Sequence, residues 1–371
     1  MRTLLSTTAL SLCLAACGDT GEAGGNGGGP AGGAGGAHGG AGGAGPTPNR
    51  TLGLEINQPN PDGHDAAIEK ARAAGVGATQ LTLPWVVFEP DAGTHDFSLS
   101  DFAIPYYADK GLSLLLSIPT VDTVARLVPQ DLAAALESGA ARWSDGDVIA
   151  RFAAVLDGAL ASAGDKLDYL VVGNELDVFF ASKTQAEWDE FAVFVGAAVD
   201  HVHASHPDIL VGVSVTLAGV LDPRLPALTA NSDVRFVTYY PSGNLGGQSS
   251  GDIAADLDAM LAYAGDKPLV LKECGYATGD ALADGEAGQV AFLTDLFAAW
   301  DDRAIPLIML SRMYDGDRTQ CEATAAAYGL PGNEAFIQFL CTLGLFHFDE
   351  SEKPGWSTLE ALSQGLRTAG S

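Results

Sequence analysis

Basic side chains are scarce in this sequence. Its 371 residues hold 19 Lys and Arg against 47 Asp and Glu, a formal charge of −28 at pH 7. So acidic a chain repels phosphate backbones and anionic headgroups, which argues against nucleic acid as a partner and favours a neutral substrate over a phosphorylated one. Cysteine is scarce too, at 5 residues, and none stands at a metal-type spacing. His201, His203 and His206 lie close together, but their offsets do not share one helix face as a zinc-binding pair must. No Gly-x-Ser-x-Gly elbow occurs. The N-terminal glycine tract lacks both a preceding strand and a closing Lys-Ser/Thr, which excludes a phosphate loop. Neither metal nor cofactor is expected.

The N-terminus is built for export. Met1-Arg2 supplies positive charge, Leu4 to Leu14 an apolar core too short to span a bilayer, and Leu14-Ala15-Ala16-Cys17 a small-residue cleavage site. This resembles the lipobox of bacterial lipoproteins, which implies a signal peptide over residues 1–16 and acylation of Cys17. Gly18 stands where an aspartate often marks inner-membrane retention, so the outer membrane or cell surface is the expected location, with the lipid as the only membrane contact. Residues 17–50 are glycine and alanine with scattered polar side chains and form an expected disordered tether, with an r.m.s. reach of roughly 30 Å. After Cys17 come Cys274, Cys321 and Cys341; in an oxidising compartment Cys321 and Cys341 are candidates to pair.

Residues 51–371 hold the folded domain. Hydrophobic content of 47% is ample for a core. Eight short β-rich runs alternate with longer helical patterns: Leu52–Asn57, Ala78–Pro84, Leu112–Pro119, Leu167–Gly173, Ile209–Thr216, Val234–Tyr240, Pro268–Cys274 and Ile305–Ser311. Helical stretches include Asp65–Ala74, Val148–Ala163, Gln185–Ser205, Asp252–Ala264 and Glu286–Trp300. The alternation predicts an α/β fold, a (β/α)8 TIM barrel, a size class of roughly 250 residues before insertions. A doubly wound open sheet is the alternative. A long insertion, Arg312 to about Lys353, follows the eighth strand, and a final helix is expected near Trp356–Leu366.

In such a barrel, function gathers at the C-terminal strand ends. The polar residues there are Asn57, Gln80 or Thr82, Asp122, Asn174-Glu175, Tyr239-Tyr240, Glu273 and Arg312. Glu175 after strand four and Glu273 at the end of strand seven can face each other across a cleft. Retaining glycoside hydrolysis asks for such a pair, roughly 5–5.5 Å apart, one as nucleophile and one as acid/base. By strand alternation Cys274, next to Glu273, points away from the barrel interior. Aromatic strand-end residues are candidate floors for sugar rings: Trp85, Phe179, Phe180, Tyr276 and Tyr314.

Leu170-Val-Val-Gly-Asn174-Glu175 and Leu269-Val-Leu-Lys-Glu273 resemble the clan A glycoside hydrolases, retaining (β/α)8 enzymes with glutamates on strands four and seven. Leu83-Pro-Trp85-Val-Val-Phe-Glu89-Pro90 with Gly93-Thr-His-Asp-Phe97 is similar to the clan's stretch after strand two, Phe236-Val-Thr-Tyr-Tyr240-Pro to its strand-six tyrosine, and Gly344-Leu-Phe-His-Phe-Asp349 through Lys353-Pro-Gly-Trp356 to its closing segment. The Gly-Asn-Glu form is similar to that of the endo-β-1,4-galactanases.

The resemblance implies that Glu273 attacks the anomeric carbon, that Tyr240 donates a hydrogen bond that keeps it ionised, that Glu175 is acid/base and that Asn174 binds the sugar 2-hydroxyl. Trp85, Asn57, Tyr276, Arg312 and Tyr314 complete the expected substrate-binding set. Two positions depart from the clan: Gln80 stands where many members carry a strand-two arginine, and strand eight reads Leu310-Ser311-Arg312 without the usual tryptophan. The expected function is a retaining β-glycoside hydrolase, monomeric, acting on extracellular oligo- or polysaccharide. A non-catalytic carbohydrate-binding barrel is the alternative.

Overall fold

The computed structural model describes residues 50–164, 166–241 and 251–369. The leader, Cys17 and the tether lie outside the described residues. Eight parallel strands form the core: β1 Thr51–Leu54, β2 Ala78–Thr82, β3 Ser113–Ser117, β4 Leu167–Val171, β5 in two halves, Leu210–Gly212 and Ser214–Thr216, β6 Arg235–Tyr239, β7 Leu269–Cys274 and β8 Leu307–Leu310. Each pairs with its neighbours in sequence, and β1 pairs with β8 from Thr51↔Leu307 to Leu54↔Leu310. The first half of β5 pairs with β4 and the second half with β6, so this one strand closes the ring. The open sheet is ruled out.

Alternation along the strands creates two cores. Ala78, Leu115, Val171, Val234, Phe236, Val270, Leu307 and Met309 meet inside the barrel. Their neighbours, among them Leu54, Leu116, Leu170, Val237, Leu271 and Ile308, face outward against the helices. Burial on both faces explains why the strands read as continuous apolar runs. Going up each strand, the inward file changes from apolar to polar: Phe236 is followed by Thr238 and Tyr240, Val270 by Lys272, Met309 by Ser311. That change marks the mouth.

The surrounding helices form where the apolar spacing predicts them. Gln185–Ser205 opens with a capping box in which the Thr184 hydroxyl and the Glu187 carboxylate each satisfy the other's backbone N–H, and Trp188, Phe191, Phe194 and Val195 form its buried stripe. The final helix runs Pro354–Ala369, longer than expected. Beyond β8 the insertion carries two short helices, Arg318–Ala327 and Glu334–Cys341, joined by a Cys321–Cys341 disulfide with Cα atoms 5.7 Å apart. Cys274 is a free, buried thiol in the outer core. His201 and His203 each sit beside a different aspartate, Asp157 and Asp233. Among the described residues no helix is long and apolar enough to cross a membrane.

The closing segment is structural. Lys353 is buried and its ammonium donates to Asp315 Oδ1 at 2.7 Å and Thr278 Oγ1 at 2.9 Å, while Trp356 packs on Phe346. Gly344 lies where this segment crosses the chain leaving β8: a Cβ there would sit 2.3 Å from the Asp315 backbone nitrogen and 2.4 Å from the Tyr314 carbonyl carbon. Backbone cannot yield as a side chain can. Gly344→Ala is therefore expected to cost about 1–3 kcal/mol, measured by denaturant unfolding; an unchanged midpoint would refute this packing.

Candidate active site

Strand four ends in Gly173, Asn174 and Glu175, and the hairpin that follows β3, Val121–Asp122 with Ala125–Arg126, locks this turn. Asn174 N–H donates to the Val121 carbonyl at 2.8 Å, and Thr123 N–H donates to the Asn174 carbonyl at 3.1 Å. Glu175 itself is left-handed, with φ 46° and ψ 49°, an unfavourable conformation for a residue with a Cβ. Its N–H is held by Ser214 Oγ at 3.1 Å. Thr123 (φ 46°) and Arg312 (φ 65°) also have positive φ, so among the described residues three of the four non-glycine residues with positive φ stand at the mouth. Strain of this kind, on the order of 1–3 kcal/mol each, persists only where surrounding contacts enforce it.

The Glu175 carboxyl accepts hydrogen bonds from Thr123 Oγ1 and Thr238 Oγ1, both at 2.7 Å. Burial, and then the charge of Glu273, push its pKa up to about 7 in spite of these two donors.

Glu273 has the opposite environment. The pairing of β7 shifts register after Leu271 on both sides, a bulge that turns Lys272 and Glu273 to the same face. Lys272 is 1% exposed. Its ammonium donates to Glu273 Oε1 and, at 2.8 Å, to Asn174 Oδ1. Tyr240 donates to Glu273 Oε2 at 3.0 Å and lies 2.6 Å from Ser311 Oγ. Burial alone raises the Glu273 pKa, but the Lys272 charge and hydrogen bond, the Tyr240 hydroxyl and the Arg312 charge outweigh it and leave the carboxyl below the ordinary glutamate value.

Asn174 links the two halves. Its Oδ1 accepts from Lys272 and from Ser214 Oγ at 2.5 Å, and its Nδ2 donates to Asp122 at 2.9 Å, leaving one N–H uncommitted by these contacts. Two more carboxyls stand at this end of the barrel, Asp122 and Glu55. Burial pushes both up, against the Asn174 hydrogen bond at Asp122 and the Arg312 charge at Glu55. Gln80, in the place of the clan's arginine, hydrogen-bonds Glu55. The positive charge near Glu273 comes instead from Lys272 and Arg312.

Of the residues named from sequence, Asn174, Glu175, Tyr240, Glu273 and Arg312 converge. Four do not. Trp85 is 0% exposed, packed against Phe152 and stacked on Phe194 with its indole N–H on Glu89, so it is core and not a sugar floor. Glu89 in turn takes Gly93 N–H and Arg151, which makes the whole Trp85–Phe97 stretch a packing motif. Tyr314 is buried against Phe346. Asn57 spends its amide on the Tyr314 backbone at 2.7 and 2.9 Å. Tyr276 packs on Phe292 and gives its hydroxyl to Asp284 at 2.6 Å. Phe180 is likewise core, and Phe179 lies beneath Arg126 and Lys183. Sequence reasoning missed Lys272, Glu55, Ser214, Ser311, Thr123, Thr238 and Tyr328. Consecutive charges in an apolar strand were the available signal for Lys272, and its position two before Tyr240 for Thr238. Nothing local marks Thr123 or Tyr328.

No family model matches the chain, and no curated protein matches it in sequence. Solved structures do match in fold. A GH5_18 protein from Streptomyces cattleya, in complex with GlcNAc, is 18% identical with a TM-score of 0.66, over 87% of this chain and 81% of that one. A GH5_18 variant from Bifidobacterium longum, in complex with Manβ1-4GlcNAc, is 15% identical with a TM-score of 0.65, over 86% and 79%. A family 39 glycoside hydrolase from Bacteroides cellulosilyticus is 15% identical with a TM-score of 0.61, over 85% and 64%. None of the three is named as a galactanase. The chain has the (β/α)8 fold of the clan A glycoside hydrolases.

Proposed function

We propose that this chain is a retaining β-glycoside hydrolase, monomeric, acting on extracellular oligo- or polysaccharide. One observation carries the reading: two glutamates share one barrel mouth in opposite settings, Glu175 between the Thr123 and Thr238 hydroxyls and Glu273 on the Lys272 ammonium and the Tyr240 hydroxyl. Burial and the Glu273 charge push Glu175 up to about 7, while Glu273 is held down. Paired titratable groups driven apart in this way divide the roles of acid and nucleophile.

The steps follow from that division. Glu273, ionised, attacks the anomeric carbon, and its electron pair forms an ester as the glycosidic C–O bond breaks. Glu175 gives its proton to the departing oxygen. Esterification removes the Glu273 charge, so Glu175, now a carboxylate, stays ionised and takes a proton from water. The water oxygen attacks the same carbon and releases Glu273. The uncommitted N–H of Asn174 serves the sugar 2-hydroxyl. Solved proteins of like fold hold Manβ1-4GlcNAc and GlcNAc, which makes β-mannosides the first substrates to test here. Acylation at Cys17 and a tether over residues 17–50 would hold the domain at the outer membrane or cell surface; loss of radiolabelled palmitate in Cys17→Ser is the check.

Activity on a panel of 4-nitrophenyl β-glycosides is expected to vanish in Glu273→Gln, and a 2-fluoro glycoside is expected to label Glu273. Binding without turnover in the parent protein would instead select the non-catalytic alternative. Glu175→Gln is expected to slow poor leaving groups by roughly 10²–10⁴ and activated phenolates much less; equal losses on both would remove its role as acid.

The pH profile follows from the signs. Glu175 must be protonated and Glu273 ionised, so kcat/KM is expected to fall as pH rises past about 7 and to fall in acid only below the ordinary glutamate range. Lys272→Met removes the main lowering influence on Glu273, so its acid limb is expected to move up by about 1–3 units. An unmoved limb, with the melting temperature kept, would show that Lys272 does not set that ionisation.

A further inference from the structure

The insertion after β8 is clamped as a unit and lands on the active site. Besides the Cys321–Cys341 disulfide, Arg318 pairs with Glu322 and Glu334, Arg312 Nη1 donates to the Leu340 carbonyl at 2.9 Å, and Gly316 N–H donates to the Cys341 carbonyl at 2.7 Å. The first insertion helix ends at Tyr328, where Gly329, left-handed at φ 74°, turns the chain back.

Two aromatic side chains of this unit reach the catalytic groups. The Tyr328 hydroxyl meets Thr123, the same residue whose hydroxyl lies 2.7 Å from Glu175. The Phe339 ring meets Tyr240 edge-on, with centroids 5.5 Å apart and planes at 83°, and Tyr240 is the donor to Glu273. Phe336 fills the gap, 5.6 Å from Tyr328 and 6.1 Å from Phe339 between ring centroids. An unbroken file of rings therefore runs from the tyrosine beside Glu273 to the threonine beside Glu175. The ring order of the strands explains its course. A segment that leaves β8 and touches both the loop after β3 and the end of β6 must cross the mouth, because neither is adjacent to β8.

We propose that this aromatic file shuts one end of the cleft, so that the protein releases sugars one at a time from a chain end, with Tyr328 and Phe339 as specificity-determining residues against the terminal sugar. A polymer lying through an open groove would have to pass where the rings stand, and aromatic faces suit the C–H face of a sugar ring. The proposal rests on the glycoside hydrolase reading above.

The test uses linear β-1,4-linked manno-, gluco- and galacto-tetrasaccharides carrying a fluorescent label at the reducing end, with products of the full chain separated at early times. A single labelled product is expected first, the trisaccharide if the non-reducing terminal sugar is removed and the monosaccharide if the reducing one is. Labelled disaccharide, or several labelled products together, at the earliest times from a protein active on aryl glycosides would overturn chain-end action while leaving the hydrolase reading intact. Failure on every aryl glycoside and tetrasaccharide would overturn that reading, and this inference with it. Phe339→Ala and Tyr328→Ala are expected to raise KM for the tetrasaccharide about tenfold and to admit internal cleavage. An unchanged product pattern in both, with melting temperature kept, would remove their role.

Discussion

A single buried ammonium group organises the mouth of this barrel. Lys272 reaches the interior because β7 bulges after Leu271, and there it binds both Glu273 and the Asn174 side chain. A lysine removed from water costs several kcal/mol unless it is matched. Here it is matched by one carboxylate and one amide oxygen. The pairing holds the Glu273 pKa below the ordinary glutamate value, and the Glu273 charge joins burial in raising that of Glu175. Loss of the bulge would turn either Lys272 or Glu273 outward into the apolar layer that surrounds Cys274, and the opposition between the two glutamates would go with it.

The left-handed residues fit the same logic. Glu175, Thr123 and Arg312 each accept an unfavourable backbone conformation at the rim, and each is tied there by hydrogen bonds to another segment: Glu175 to Ser214, Thr123 to Asn174, Arg312 to Leu340. The rim is thus cross-linked strand to strand, and the side chains aimed into it inherit that rigidity. Preorganised groups of this kind need not reorganise as charge develops during reaction.

Much of this was legible in the sequence. Eight apolar runs alternating with helical patterns point to a parallel barrel, with closure over an open sheet decided by the β1–β8 pairing, and Glu175, Glu273 and Tyr240 were recognisable as polar residues ending apolar strands. The misplacements share a physical origin. Trp85 and Tyr314 were candidates because aromatic residues near strand ends look alike whether they floor a cleft or fill the core, and no period distinguishes the two. Lys272 was missed because a strand read with strict alternation cannot turn adjacent residues inward; only a bulge can, and bulges leave no fixed sequence mark. The split in β5 between Gly212 and Ser214 was hidden for a like reason: its two halves pair with different strands, a property of closure rather than of local propensity. Tyr328 and Phe339 belong to an insertion whose course depends on a disulfide and scattered ion pairs, none of which has a period.

The two departures from the clan's pattern are connected through Glu273. The arginine absent from β2 leaves Gln80, which is neutral and hydrogen-bonds Glu55 instead of charging the site. Strand β8 runs into Ser311-Arg312 without the clan's tryptophan, and the Arg312 charge acts on both Glu55 and Glu273 while its side chain anchors Leu340. Gln80 and Arg312 thus meet at Glu55, and the residue that supplies the charge also fastens the insertion. A flat indole at the end of β8 would supply neither charge nor anchor. In this chain, therefore, the charge that lowers the Glu273 pKa and the fastening of the insertion are coupled through one side chain, and Arg312→Trp would loosen the insertion as it removed part of that lowering.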